Sequence, residues 1–314
     1  MKKLYAVLAL FFVVYHSDAQ SFARAGEWKK YRKEVFVSLG SANFLGDLGG
    51  TAKAGKDYSP ADLDFSQTRT AFGFGARYKI KRYLNVAGKF NYLILKGDDA
   101  KSENPARKNR NLNFRSSLFE LSARAEIGLQ TSRTSATRYS IKKTYSAAAK
   151  KFTHNIFGFA GVGVFYFNPK GKNTAGKYVA LRPLHTEGQG LPGGPKQYSN
   201  IAVCVPIGVM YKLNINKIWS LGVEVAFRKT FTDYIDDVGS TYYDASALAA
   251  AYGPESAQMA DPSRGDIYGA SLPAADGTAA QRGDKQKDFY MSFEVTAGYI
   301  FKQKRKSARL RSKF

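Results

Sequence analysis

The chain has 314 residues, of which 44% are hydrophobic and 14% aromatic, and 48 Lys and Arg against 25 Asp and Glu give a formal net charge of +23. After the N-terminal segment no apolar run is long enough to cross a membrane as a helix, which leaves a soluble all-β domain or a membrane barrel. The single cysteine, Cys204, excludes an intrachain disulfide.

The N-terminus has the three-part layout of a secretory signal peptide. Lys2 and Lys3 precede an apolar stretch from Leu4 to Tyr15, and small residues follow up to residue 19. That stretch is shorter than the roughly 20 residues that a membrane anchor needs. We therefore predict a signal peptide at residues 1–19 and a periplasmic segment at residues 20–33.

Eight later segments alternate apolar and polar side chains with the period of two of a β-strand, and most approach the roughly 9 to 11 residues of a tilted membrane strand. The first is short and is marked by Val35, Val37 and Leu39. In chain order, the others cover residues 72–80, 84–94, 119–127, 156–167, 201–212, 219–228 and 289–301. Glycines leave the facing of the segment at 156–167 ambiguous.

The linkers between these segments decide between a sandwich and a barrel. Membrane barrels alternate short periplasmic turns with long external loops. Here short linkers (81–83, 214–218) alternate with longer ones (41–67, 96–111, 168–199, 232–287), and only the basic stretch 130–154 departs from the order. We predict an all-β fold: an eight-stranded antiparallel transmembrane β-barrel over residues 34–301, integral to a bacterial outer membrane, with both termini periplasmic.

The polar face of the predicted strands carries four bases and four acids. An eight-stranded barrel is only wide enough to be filled by its own side chains, so these charges are expected to pair in a plugged interior that admits no diffusion. They are Arg77, Lys89, Glu120, Arg124, Glu126, Glu224, Arg228 and Glu294. Cys204 is expected to face inward as a small filler.

The sequence offers little for catalysis. His16 leaves with the signal peptide, which leaves His154 in the basic stretch and His185 in a loop, so no catalytic residue and no cofactor are predicted. Three nearby carboxylates could begin a divalent-cation site. Alternatively they are rim acids that pair with Arg228, Lys229 and neighbouring loops. The three are Asp233, Asp236 and Asp237.

Positive charge is concentrated on the predicted periplasmic side, while the linker 232–287 carries nine acids and four bases. An exported chain meets lipopolysaccharide, peptidoglycan and acidic proteins, and no nucleic-acid partner is expected. The basic residues are candidates for binding an acidic periplasmic partner, although they could serve solubility alone. They comprise Arg133, Arg138, Lys142, Lys143, Lys150 and Lys151, with Lys304 and Arg305 in a basic tail at 302–314.

Four segments, at residues 41–50, 110–114, 186–190 and 228–238, resemble the PorG-like family of outer-membrane barrels of the type IX secretion and gliding machinery. The resembling residues include Asn43, Gly46, Asp47, Glu187, Gln189, Arg228, Thr230, Asp233, Tyr234, Asp236 and Asp237. The resemblance implies a barrel that anchors a periplasmic ring of the lipoprotein PorK and of PorN, with no catalytic residue.

The chain departs from that family in the basic insertion 130–154, an Ala- and Gly-rich expansion within 242–283 and the basic tail. The alternative function is a stand-alone surface barrel that binds lipopolysaccharide or a small ligand through its external loops. A third hypothesis, an outer-membrane hydrolase with His185 as general base, has little support. Outer-membrane lipid is a partner in every case.

Overall fold

A computed structural model describes residues 27–48, 65–102, 104–131, 153–264, 280–283 and 286–303. The predicted signal peptide, most of the basic insertion and the tail from residue 304 lie outside these residues. Eight long strands build the fold. They are β1 (Lys33–Leu45), β2 (Arg69–Lys79), β3 (Leu84–Asp98), β4 (Asn113–Thr131), β5 (Thr153–Tyr166), β8 (Ile201–Asn214), β9 (Trp219–Thr230) and β10 (Phe289–Phe301).

The eight strands form one closed antiparallel ring in the order β1-β2-β3-β4-β5-β8-β9-β10. The ring closes where β1 pairs with β10 along its whole length, from Lys33 opposite Phe301 to Leu45 opposite Phe289. Closure leaves no unpaired edge among these strands. The predicted eight-stranded antiparallel barrel is therefore confirmed, and β1 is longer than its sequence pattern suggested because small residues at 40–42 interrupt the alternation but not the pairing.

The linkers separate the two ends of the barrel. The start of β1 and the end of β10 lie on the same side of the barrel as the tight turns at 80–83 and 215–218. We call this side the terminal end. The opposite end, which we call the loop end, carries residues 46–48, 65–68, 99–112, 167–200 and 231–288 as far as they are described. Additional short elements there are β6 (Pro169–Lys172), β7 (Tyr178–Ala180), α1 (Pro105–Arg110), α2 (Ala245–Tyr252) and α3 (Pro254–Ala260). No helix in the described ranges is both long and apolar enough to cross a membrane.

The outer wall is apolar. Side chains that would be core residues in a water-soluble protein are half exposed on it, such as Leu39 (62%), Phe74 (52%) and Leu121 (60%). Aromatic rings cluster near the terminal end, where Trp219 packs edge-on against Tyr299 at 5.1 Å between ring centroids. Large apolar area of this kind, continuing from strand to strand, marks a surface that contacts something other than water.

The facing of β5, which the sequence left open, is settled by its burial pattern. Phe157, Phe159 and Phe165 are buried inside, whereas Val162 and Val164 are exposed on the wall. The inward phenylalanines fit because glycines share their side of the strand, and Phe159 lies under the guanidinium of Arg124, 4.2 Å from the ring centroid.

A chain of ion pairs fills the middle of the lumen. Lys89 on β3 lies between two acids of the opposite wall, with its Nζ 2.8 Å from Glu294 and 3.1 Å from Glu224. Arg124 binds both oxygens of Glu224, each at 2.7 Å. Arg228 donates to Glu120 at 3.1 Å.

The network extends toward the terminal end through residues that the sequence analysis did not count. Arg77 pairs with Glu126 at 2.5 Å and with Glu34 at 3.1 Å, and Lys212 also donates to Glu34. All eight predicted inward charges are buried, and Glu34 and Lys212 raise the buried set within the described barrel to five acids and five bases. Removing charge from water is costly, and direct pairing offsets that cost.

We predict that Lys89→Met destabilises the barrel, because Glu294 then loses its nearest cation and the cation that it shares with Glu224, which keeps Arg124. The free energy of unfolding should fall by about 3–5 kcal/mol, measured by urea unfolding in phosphatidylcholine vesicles with the fluorescence of Trp28 and Trp219. Lys217→Met, at an exposed turn, is the matched control. Equal midpoints for the two variants would contradict the prediction.

Candidate functional site

The four segments that carry the family resemblance meet at the loop end, where they build one compact structure that we call the loop cap. It comprises the described parts of residues 46–48, 99–114, 181–198, 231–264 and 280–288. A buried apolar cluster joins Phe114, Tyr198 and Ile235 of the cap to Phe167 and Tyr290 just below it. The cap therefore covers the lumen with a packed layer, although its pieces are far apart in sequence.

Arg282 is the central cation of the loop cap and is 2% exposed. Its Nη1 donates to Glu187 at 3.0 Å and to the carbonyl of Asp237 at 2.7 Å, while its Nε donates to the carbonyl of Ala260 at 3.0 Å. One guanidinium thus ties the third loop of the loop end to three parts of the fourth. A planar group with five donors is suited to this task.

Glu187 accepts further hydrogen bonds across the same junction. Its carboxylate receives the backbone N–H of Gly239 at 3.0 Å and the hydroxyl of Ser240 at 2.6 Å. The next residue, Gly188, has a φ of 73°, and a side chain there would collide with the ring of Tyr243. Both the conformation and the close approach explain a glycine at this position.

Arg110 joins the remaining loops. It binds Asp99 within its own loop at 2.7 Å and 3.1 Å, and it donates to the backbone carbonyls of Asp47 at 2.6 Å and Arg282 at 2.7 Å. Two buried or half-buried arginines therefore connect the first, second, third and fourth loops of the loop end.

Asp237 is fully buried in the left-handed region, with a φ of 68°. Its carboxyl accepts hydrogen bonds from Thr186 at 2.5 Å and Tyr198 at 2.6 Å. Burial raises the pKa of Asp237 to about 6, against the opposing effect of Arg282. Burial, together with the charge of Asp237, also raises the pKa of Tyr198 above its ordinary range.

The three carboxylates considered for a cation do not share a site. Asp236 accepts from the backbone of Val238 at 3.1 Å, and burial followed by the nearby Asp288 and Asp47 holds its pKa well above the usual range. Asp233 lies 3.6 Å from Lys287. Across the described part of the chain, no group of three or more His, Cys, Asp or Glu side chains is arranged to hold a metal ion.

The alternative interpretation, in which these acids pair with Arg228, Lys229 and neighbouring loops, is wrong about Arg228. Asp237 pairs with neighbouring loops as expected, but Arg228 points into the lumen, where it contacts Glu120 and Ser292. His185, the loop histidine, has its Nδ1 2.7 Å from the carbonyl of Gln189 and its ring stacked on Tyr252 at 4.1 Å. These contacts give His185 a structural place in the cap.

The remaining resembling residues also lie in or just below the cap. Asn43, Gln189 and Thr230 are buried, Gly46 precedes Asp47 in the first loop, and Tyr234 stacks on Tyr198 at 4.7 Å. Sequence reasoning missed Arg282 and Asp288, since they follow a low-complexity stretch with no local pattern. The basic candidates from Arg133 to Lys151, with Lys304 and Arg305, lie outside the described residues.

No protein-family model and no curated protein matches the sequence. Solved structures similar to this chain include Ail of Yersinia pestis bound to the heparin analogue sucrose octasulfate (10% identity, 86% of this chain and 99% of that chain, TM-score 0.35). A second is the N-terminal β-barrel domain of Pseudomonas aeruginosa OprF (7% identity, 86% of this chain and 98% of that chain, TM-score 0.33). A third is outer membrane protein AlkL in lipid bilayers (10% identity, 93% of this chain and 97% of that chain, TM-score 0.32). These TM-scores are too low to support an argument, so the fold is established by the strand pairing of this chain alone. The narrower PorG-like resemblance stays a prediction.

We predict that Arg282→Met loosens the loop cap without opening the barrel. Glu187 would be left buried without its cation, which costs about 3–5 kcal/mol. Hydrogen–deuterium exchange should rise in peptides covering 183–190 and 236–241 but not in the barrel strands. Arg264→Met, at an exposed position of the same loop, is the control, and equal exchange in both variants would contradict the assignment of Arg282.

The loop cap should also weaken as the pH rises. The pKa of Asp237 is raised from 3.8 to about 6, so its contribution to stability is full below about pH 4 and is lost as the pH passes through 6. The change is on the order of 3 kcal/mol. Asp236, whose pKa is also raised, acts in the same direction.

Asp237→Asn tests this pH dependence, because asparagine tolerates the left-handed backbone and cannot ionise. Cap exchange between about pH 4 and pH 7, corrected for the intrinsic rate, should depend less on pH in this variant than in the wild type. An unchanged pH profile would show that Asp237 does not govern the effect.

Proposed function

We propose that this chain is an integral outer-membrane barrel without enzymatic activity, which anchors other envelope proteins. Two features of the described barrel support a membrane location. Its backbone hydrogen bonds are satisfied within a closed ring, and its outer wall presents exposed Val, Leu and Phe side chains. A closed barrel with an apolar exterior satisfies the requirements of a lipid bilayer.

The observation that carries the proposed role is the filled lumen. Lys89, Arg124 and Arg228 cross it to acids on other strands, and the loop cap covers one end. In the described part of the chain these side chains occupy the lumen, which argues against passage of a solute. The ends of the barrel, rather than its lumen, are then the surfaces available for function.

The terminal end is proposed to face the periplasm, since short turns lie there and long loops lie at the opposite end. Bases dominate this end in sequence and in the described rim, which includes Lys29, Lys30, Arg32, Lys33, Lys81 and Lys217. Such a surface favours an acidic protein through charge complementarity. Together with the PorG-like resemblance, this supports contact with the type IX ring lipoprotein PorK and with PorN.

A second candidate is a stand-alone surface barrel that binds lipopolysaccharide or a small ligand at the loop end. It is favoured by the loop cap, where Arg110 and Arg282 fix four loops as one body. A binding surface benefits from such preorganisation. The two candidates place function at opposite ends, so variants at each end distinguish them.

Capture from solubilised envelopes tests the anchoring role. Reversing Lys142, Lys143, Lys150 and Lys151 to Glu should reduce capture of the ring lipoprotein at least about fivefold, since four charge pairs of the strength typical of a protein surface contribute about 1 kcal/mol or more together. Reversing four exposed bases of the external loops, Lys170, Lys172, Lys177 and Lys196, provides a control with the same charge change.

Two results together support anchoring through the basic insertion. Capture by the wild type is lost at high salt, and at low salt it is lost in the insertion variant but not in the loop variant. Equal capture by both variants and the wild type would remove the insertion from the contact. Failure of the wild-type chain to bring down any ring component at low salt would contradict the anchoring role.

A further inference from the structure

The apolar wall has a groove on one side near the terminal end, and this inference about it depends on the membrane location proposed above. The groove has a volume of about 550 Å³. It crosses the outer faces of β1 to β4 and reaches the end of β10. Its outward lining includes Lys33, Val35, Ala76, Tyr78, Gly88 and Ala123. Glu34 and Arg77 also line it, but their side chains are buried and pair with each other at 3.1 Å.

Strand register explains why the wall is indented here. Ala76 lies opposite Gly88, which lies opposite Ala123, so three small residues are adjacent on three strands. The neighbouring row toward the loop end consists of Phe74, Phe90 and Leu121, with the two phenyl rings 5.2 Å apart. Large side chains thus bound the groove on the loop side, and from the small residues it extends past Tyr78 and Val86 to Lys33 near the terminal end.

Cations lie at the terminal end of the groove. Lys33 is exposed and lines the groove directly. Arg32 lies beside the groove, because its Nη1 donates to the hydroxyl of Tyr78, a lining residue, at 3.2 Å. Its guanidinium lies 5.0 Å from the ring centroid of Trp28. The adjacent turn adds Lys81, whose Nζ lies 5.7 Å from the ring centroid of Tyr83.

We propose that this groove is a binding site for one glycerophospholipid with an anionic headgroup, in the leaflet at the terminal end. The acyl chains fill the indentation over Ala76, Gly88 and Ala123, and the phosphate lies beside Arg32 and Lys33. Aromatic side chains such as Trp28 and Tyr78 are suited to the depth at which a headgroup begins. The pattern pairs an apolar groove with positive charge, which matches the two parts of such a lipid.

Charge argues against a second copy of the chain as the occupant. A symmetric dimer across the groove would bring Arg32 and Lys33 of both copies together, and like charges in one interface cost several kcal/mol. An anionic lipid meets the same cations favourably. An acidic protein segment is the other possible occupant. The purified chain in lipid distinguishes the two, because a site for a protein segment would show no preference between lipids.

Native mass spectrometry of the full chain, released from nanodiscs of equal phosphatidylglycerol and phosphatidylcholine, tests the site. The wild type should retain one phosphatidylglycerol in preference to phosphatidylcholine. Lys33→Glu should lower that preference about fivefold, because one surface cation contributes about 1 kcal/mol. Ala123→Leu should reduce retention of both lipids by filling the groove.

Matched controls lie elsewhere on the barrel. Lys217→Glu changes the charge in the β8–β9 turn, across the ring from the groove, and Ala297→Leu enlarges an outward residue of β10 that does not line it. Both should behave as the wild type. Equal retention of the two lipids by the wild type, or equal effects of Lys33→Glu and Lys217→Glu, would overturn the site.

The experiment separates this site from the membrane location on which it depends. A chain that does not enter nanodiscs contradicts the proposed function itself. A chain that inserts as a folded barrel but shows no preference for phosphatidylglycerol contradicts only the lipid site.

Discussion

The structure depends on pairing every buried charge inside a narrow barrel. Eight strands enclose a lumen that side chains fill, and here ten of those side chains are acidic or basic. Lys89 and Arg124 satisfy Glu224 from two other strands, so a single carboxylate fixes the relative positions of three walls. The same constraint explains why closure, register and interior composition are coupled, since shifting one strand by a residue would turn its charges toward the apolar outside.

The loop cap repeats this constraint above the barrel. Arg282 and Arg110 are surrounded by carboxylates and backbone carbonyls from loops that are distant in sequence. Aromatic side chains of the buried cluster lie between the cap and the lumen, and Phe165 packs edge-on against Tyr290 at 5.8 Å. Two ion-paired layers separated by apolar packing make a barrel closed to solutes, and its outer wall and ends are left for recognition.

Much of the fold follows from the period of two in the sequence, because a wall between lipid and a polar lumen imposes it on every strand. The pattern identified all eight strands and the eight inward charges such as Arg77 and Glu294. It did not find Glu34, which precedes the predicted apolar alternation of β1, or decide the facing of β5, where glycines carry no signal. The cap could not be assembled from sequence, since Arg282 reaches Glu187 over 95 residues and no local rule joins them.

Chemical modification of the single cysteine measures most directly whether the lumen is packed. Cys204 faces inward with no exposed surface, and its Sγ lies 3.7 Å from the hydroxyl of Tyr290. In lipid vesicles, a small water-soluble thiol reagent should leave Cys204 of the folded barrel unmodified, and should modify it completely after denaturation. Complete modification of the folded barrel, at a rate close to that of the denatured chain, would show a water-filled lumen and contradict the ion-paired, closed interior.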